Sequence, residues 1–331
     1  MTKSLKLIFL LIGFLMFGWA VSAVDMTVVF SLLMKLGAGF IIMLLIYSGV
    51  TWVDTIAWQK CFKSIDVMQL RLCDLWCIRI VGEAYNTITP LGTLGGEPVK
   101  AQLLKERYGL SLKQGIPSQV IARTTFLIAL ILFFVPGMFF LLQSSIISEK
   151  FKMACFVGML SFSTLIFLFI IFQVTGALSI IAKWVANLQL GIKINVIMDK
   201  LKLVDQGISL YYKNHSSQII ISVLYAFAGW VIGLGELSVV LHFLGYQPNL
   251  IDLWIIESLA QLVRASSFFI PLSIGAQEAG LLLIFTALGM PESVGLTVSF
   301  ARRIKELLWV GIGLIIGWRL AFHPSSQKQE N

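Results

Sequence analysis

Charge is scarce in this chain. Asp, Glu, Lys and Arg together make up 13% of its 331 residues, about half the share of an average soluble domain. Histidine is scarcer still, and His215, His242 and His323 lie far apart. Of the four cysteines, Cys61, Cys73, Cys77 and Cys155, the second and third share a helix face. No histidine or second cysteine pair stands beside them, so no metal ligand is expected. The sequence has no Gly-x-Ser-x-Gly elbow, no His-Glu-x-x-His helix and no nucleotide-binding Gly-x-x-x-x-Gly-Lys loop. Each of those patterns supplies a nucleophile, a metal or a phosphate cradle that an enzyme would need. No catalytic residue, no cofactor and no enzyme activity are therefore expected, although the membrane-depth glutamates leave acid–base work conceivable. The net charge is +8, but no basic helix alternates with exposed aromatics, so nucleic acid is not the expected partner.

What the chain has instead is apolar length. Hydrophobic residues make up 58% of it, and separate apolar runs reach the roughly 20 residues that cross a bilayer. Clear runs cover residues 7–24, 32–58, 121–142, 153–171, 217–242 and 291–318. The first is either a signal peptide, with Val21-Ser22-Ala23 as a small-residue cleavage pattern, or a retained helix. The stretch 183–215 is polar, and its Ile197, Leu201, Val204, Ile208 and Tyr211 step by four and three. That is one face of an amphipathic helix on the membrane surface, or else a solvated connector. Lys and Arg concentrate in 60–113 and 183–213, which places these segments in the cytoplasm together with the N-terminus. The expectation is a multi-pass protein of a bacterial inner membrane.

Two segments, 70–108 and 251–290, are too interrupted for single crossings. Each has a helix, a break rich in small residues and a second helix, the pattern of a re-entrant hairpin. Their breaks align: Pro90-Leu91-Gly92-Thr93-Leu94-Gly95-Gly96-Glu97 with Pro271-Leu272-Ser273-Ile274-Gly275-Ala276-Gln277-Glu278. An Ala-Arg pair follows each, Ala122-Arg123 and Ala301-Arg302. The expected fold is all-α: about six transmembrane helices and two re-entrant hairpins in two inverted repeats, 1–145 and 146–331. The symmetry favours a retained first helix.

Charge at membrane depth is costly and marks function by default. Glu83, Glu97, Glu257, Arg264, Glu278, Arg302, Arg303, Lys305 and Glu306 all fall in such segments. They read either as an anionic headgroup site with acidic counter-ions or as internal pairs. For the second reading, Arg302 with Glu306 and Arg79 with Glu83 are four apart on one helix. Glu83 and Arg264 hold the same position before the two prolines, which suggests a pair across the repeat interface. Asn86 continues the polar stripe of Arg79 and Glu83. Gly95 and Gly96 either let the backbone approach a ligand or let helices pack closely. The expected binding set is thus Glu83, Asn86, Gly95, Gly96, Glu97, Arg264, Glu278, Arg302, Arg303 and Glu306. In that scheme the headgroup enters between the hairpins, Arg264, Arg302 and Arg303 hold its phosphate, and Glu97 and Glu278 pair with the bases or take protons. Arg303 is expected to face the other hairpin or the ligand cavity.

The stretches EAYNTITPLGTLGGEPVK (83–100) and IPLSIGAQEAG (270–280) resemble the flippase-like transmembrane family of the lysylphosphatidylglycerol synthases. Arg302-Arg303-Ile304-Lys305-Glu306-Leu307-Leu308-Trp309 is similar to the subgroup associated with hopanoid biosynthesis. The resemblance spans nearly the whole chain. It implies an inner-membrane protein whose partners are membrane lipids and which translocates a lipid or hands it on, the lipid being of anionic or hopanoid type. Bifunctional synthases continue into a soluble aminoacyl-transferase domain, and the chain ends at Asn331, so lysyl transfer is not expected. The alternative is a membrane-embedded enzyme or accessory subunit of lipid or glycolipid synthesis.

Overall fold

The computed structural model describes residues 3–62, 70–89, 95–174, 211–212, 214–268, 270 and 273–322. Among the described residues there are eleven helices and no strand. The amphipathic pattern expected in 183–215 lies outside them except for its last few residues, as do residues 90–94 and Pro271 and Leu272 of the two breaks.

The first helix, α1 (Lys3–Ser22), turns by 90° into α2 (Met26–Leu36). Asp25 caps α2, its carboxylate accepting from the Thr27 N–H at 2.8 Å and hydroxyl at 2.7 Å. Gly37, at φ +43°, ends α2 and lets the chain restart as α3 (Ala38–Gln59). The run expected as one crossing over 32–58 is therefore broken at Gly37. The α1–α2 elbow packs on the C-terminal half through Ala20, Val29, Ala279, Leu282 and Leu296.

Next, α4 (Leu72–Ile88) and α5 (Gly96–Tyr108) fold back on each other, and the left-handed Gly109 closes α5. Two long helices follow, α6 (Leu112–Gln143) and α7 (Glu149–Val174). Ser111 at the start of α6 donates its backbone N–H to Gln114 Oε1 at 2.9 Å, half of a capping box. Then come α8 (Ser216–Leu244), a second folded-back pair, α9 (Leu250–Ser266) and α10 (Ala276–Ala287), and the long α11 (Glu292–Phe322). Glu278 caps α10, accepting from the Gly275 N–H at 2.8 Å.

The main core joins α6, α7, α8, α9, α10 and α11 around Phe133, Phe134, Leu141, Met159 and Phe285, all fully buried. The outside is apolar too: Leu15, Met34, Leu165 and Ile220 are all more than half exposed. Apolar surface so widely exposed suits lipid and not water. Among the described residues four helices are long and apolar enough to cross a membrane: α3, the Gln114–Gln143 part of α6, α7 and α8. The bent α1–α2 pair makes a fifth if it counts as one broken span. That is fewer than the six expected. The shortfall is α11, which carries Arg302, Arg303, Lys305 and Glu306 near its middle. It crosses α4 at Gly313, where a Cβ would stand 2.7 Å from Ala84 Cβ and 2.8 Å from the Ile80 carbonyl oxygen. Small residues at helix crossings are a common device in membranes.

Candidate functional site

The charged side chains form two groups. The first lines a cleft of about 120 Å³ walled by α3, α4, α5, α6 and α8. Asp54 of α3 pairs with Arg79 of α4 at 2.8 Å. Gly229 of α8 faces this pair; a Cβ there would stand 2.7 Å from Asp54 Oδ1. Lys100 of α5 is shared by two carboxylates, Glu97 at 2.8 Å and Glu83 at 3.7 Å. Its stem runs over Gly82, and its ammonium stands 5.7 Å from the Trp58 ring centroid. Gln119 of α6, with its amide nitrogen turned toward α5, donates to the Glu97 carboxylate. Arg123 of α6 lines the same cleft and makes no hydrogen bond or ion pair with a described residue, although the Glu83 charge reaches it.

The hairpin geometry behind this cleft follows from its glycines. Gly96 N–H donates to Asn86 Oδ1 at 2.7 Å. A Cβ on Gly96 would fall 1.8 Å from the Gly82 carbonyl oxygen. Only glycine lets α4 and α5 approach this closely, and the approach sets Lys100 against Glu83. Gly95 lies against the Thr89 side chain.

The second group centres on α11, whose basic residues each take a carboxylate from a different helix. Arg302 pairs with Glu257 of α9 at 2.5 Å, and Arg303 with Glu278 of α10 at 2.9 Å. Lys305 pairs with Glu236 of α8. Glu306 is shared by Arg303 at 3.1 Å and by Arg264 of α9 at 3.3 Å. Tyr47 of α3 stands between the groups: Lys305 Nζ is 4.2 Å from its ring centroid, and both Glu83 and Glu236 act on it electrostatically.

The expected binding residues thus divide. Glu83, Asn86, Gly95, Gly96 and Glu97 belong to the cleft or its hairpin; Arg264, Glu278, Arg302, Arg303 and Glu306 belong to the α11 network. Glu83 and Arg264 do not form the expected ion pair. Each has another partner, although the Glu83 charge acts on Arg264. The internal pairs expected along single helices are also replaced. Arg302 goes to Glu257 and not to Glu306, and Arg79 goes to Asp54 and not to Glu83. Arg303 pairs with Glu278 of α10, in its own half of the chain. The expected phosphate-holding trio is engaged by carboxylates throughout, and α11 packs against both α4 and α10.

The chain matches the model of one protein family, described as the lysylphosphatidylglycerol synthase TM region, over residues 6–314. It belongs to that family. No curated protein and no solved structure gives a match. With the apolar helices, membership makes the chain a multi-pass membrane protein connected with lipids. In this member of the lysylphosphatidylglycerol synthase family the matched region takes in both charged groups.

Several residues of the two groups were not among those expected to bind. Asp54 and Glu236 are lone carboxylates inside apolar runs, and that alone is a sufficient flag. Lys100 and Arg123 stand in the quoted motifs, but nothing in their spacing says that they share a cleft. Gln119 carries no sequence signal.

Proposed function

We propose that this protein moves a membrane lipid between leaflets, admitting its polar headgroup to the α3–α6 cleft while the acyl chains stay in the bilayer. The observation that carries this reading is the placement of the cleft. Asp54, Arg123 and Ala226 bring it among α3, α6 and α8, three helices apolar enough to span. Arg123 lies about 16 Å along an α6 of about 48 Å, at 1.5 Å per residue. A headgroup that crosses hydrocarbon needs polar walls at such depth, because a bare charge there costs about 3 kcal/mol or more.

The α11 network suits a moving part. Glu306 and Arg303 each hold two partners, so one contact can break without leaving a charge alone in the bilayer. The two folded-back pairs, α4–α5 and α9–α10, read as re-entrant hairpins of an inverted repeat, and rocking of the halves about α11 would alternate access. The membrane is a bacterial inner membrane with the N-terminus in the cytoplasm. The likeness of Arg302–Trp309 to the hopanoid-associated subgroup keeps a hopanoid-type lipid among the candidate cargoes.

The test is reconstitution of the full chain in vesicles holding short-chain lipids labelled on the acyl chain. Leaflet exchange is read by quenching of the outer label. Exchange should exceed that of protein-free vesicles, and the mass of the recovered lipid should be unchanged. A lipid of altered mass would mean an enzyme, and no acceleration for any headgroup would overturn the reading.

A further inference from the structure

The cleft holds six charged side chains; among the described residues Arg123 goes without a partner, and Glu83 has only a long, shared contact with Lys100. Asp54 and Arg79 neutralise one another, with side chains only 12% and 16% exposed. Lys100 lies close against Glu97, which Gln119 also serves. Glu83 is left with the far side of Lys100 at 3.7 Å, and its side chain is 41% exposed. Arg123 has no partner within hydrogen-bond or ion-pair distance among the described residues. A second donor is idle in the same cleft: the indole N–H of Trp58, a residue 5% exposed, finds no acceptor among the described residues.

We infer that the cleft is built for a zwitterionic headgroup of zero net charge, with a phosphate taken by Arg123 and the Trp58 N–H and an ammonium taken by Glu83. This rests on the lipid-moving reading and narrows its cargo. The charge balance makes the choice. Three acidic and three basic side chains sum to zero in the empty cleft. A net-neutral zwitterion keeps that sum and satisfies the unmatched groups without breaking either closed pair. An anionic headgroup would leave one surplus negative charge, with Glu83 still sharing Lys100 with Glu97. A cationic one would leave a surplus positive charge. In a low-dielectric interior an uncompensated charge is penalised steeply. The cleft is also smaller than the several hundred Å³ of a typical ligand site, so it receives a compact headgroup and not a whole lipid.

The experiment uses the full chain in vesicles with three acyl-labelled probes: phosphatidylethanolamine, phosphatidylglycerol and lysylphosphatidylglycerol. Phosphatidylethanolamine should exchange at least about tenfold faster than either of the others. Glu83→Gln turns the cleft net positive and should shift preference toward phosphatidylglycerol. Arg123→Gln turns it net negative and should shift preference toward the lysyl lipid. A purely structural role for either residue would slow all three probes alike. Equal rates for the three probes, or wild-type preference for a charged one, would overturn the inference while leaving lipid transport standing. Failure to move any probe would instead overturn the transport reading itself. The wild-type comparison decides even if a variant fails to fold.

Discussion

Arg302 on α11 closes on Glu257 of α9 at 2.5 Å and leaves Glu306, one turn along its own helix, to Arg303 and Arg264. The helix is thus tied to its neighbours through Arg302, while Arg303 and Glu306 also pair along it. Glu257 has a side chain only 10% exposed, and its other contact is the Gln261 amide at 2.7 Å. Removing the guanidinium leaves a buried carboxylate without its counter-ion, which costs about 3–5 kcal/mol. Arg302→Gln should therefore lower the thermal midpoint in detergent strongly. Glu306→Gln should cost less, since Arg303 keeps Glu278 and Arg264 has a side chain 57% exposed. A larger loss for Glu306→Gln would show that the Arg302–Glu257 pair is not the dominant tie.

Arg303 makes a second case. Its sequence position alone leaves it free to serve a ligand, and then Arg303→Gln would spare stability. The structure gives it to Glu278, whose side chain is 2% exposed. Glu278 keeps the Gly275 N–H at 2.8 Å, as Glu257 keeps the Gln261 amide, so the two penalties should be comparable. Arg303→Gln should lower the thermal midpoint, and Arg303→Gln with Glu278→Gln should recover part of the loss. A single variant as stable as the parent would return Arg303 to the list of ligand-facing groups.

These two residues show where the sequence stops being legible. The apolar runs announced most of the helices because period and length suffice for that. The paired breaks announced two folded-back helix pairs because Gly and Pro punctuate the chain. Helix registry announced which charges share a face, so Arg302 and Glu306 looked like partners. Rotamers and neighbouring helices decide which contact is made, and Glu257 is 45 residues away. The cleft was hidden for the same reason: Asp54, Lys100, Gln119 and Arg123 meet only when three helices pack. The break at Gly37 was hidden differently, since a single glycine inside an apolar run does not signal a positive φ.

The α4–α5 contact predicts unequal effects for neighbouring glycines. A Cβ on Gly96 meets the Gly82 carbonyl oxygen at 1.8 Å, a backbone atom that can move only with its helix. A Cβ on Gly95 meets only the Thr89 side chain, Oγ1 at 1.7 Å and Cβ at 2.7 Å, which yields by rotating the hydroxyl and shifting one residue past the end of α4. Gly96→Ala should separate the two helices and exceed the about 1–3 kcal/mol usual for overpacking. Gly95→Ala should fall at or below that range. Detergent thermal unfolding of both variants measures the difference, and equal losses would mean that the helices part more easily than their packing indicates.

Lys305 and Glu236 form the most enclosed pair of the α11 network, with side chains 11% and 10% exposed and the Tyr47 ring beneath the ammonium. Two opposite charges withdrawn from water lose much of their attraction to desolvation, so the pair need not stabilise the fold even though breaking it is costly. Lys305→Met leaves Glu236 as a lone buried carboxylate, and Glu236→Gln leaves Lys305 over an aromatic face that compensates part of its charge. Each single variant should lose stability, Lys305→Met the more, by about 3–5 kcal/mol. The double variant, with two neutral side chains of similar volume, should return most of that loss. A double-mutant cycle of detergent unfolding gives the coupling directly. If the double variant transports lipid at the parent rate, the pair holds α8 to α11 and does no more. If it is stable but inactive, exchange of this pair is part of the transport cycle. Losses that simply add would mean that the two side chains do not interact in the membrane-bound protein, and the network drawn around α11 would lose its deepest member.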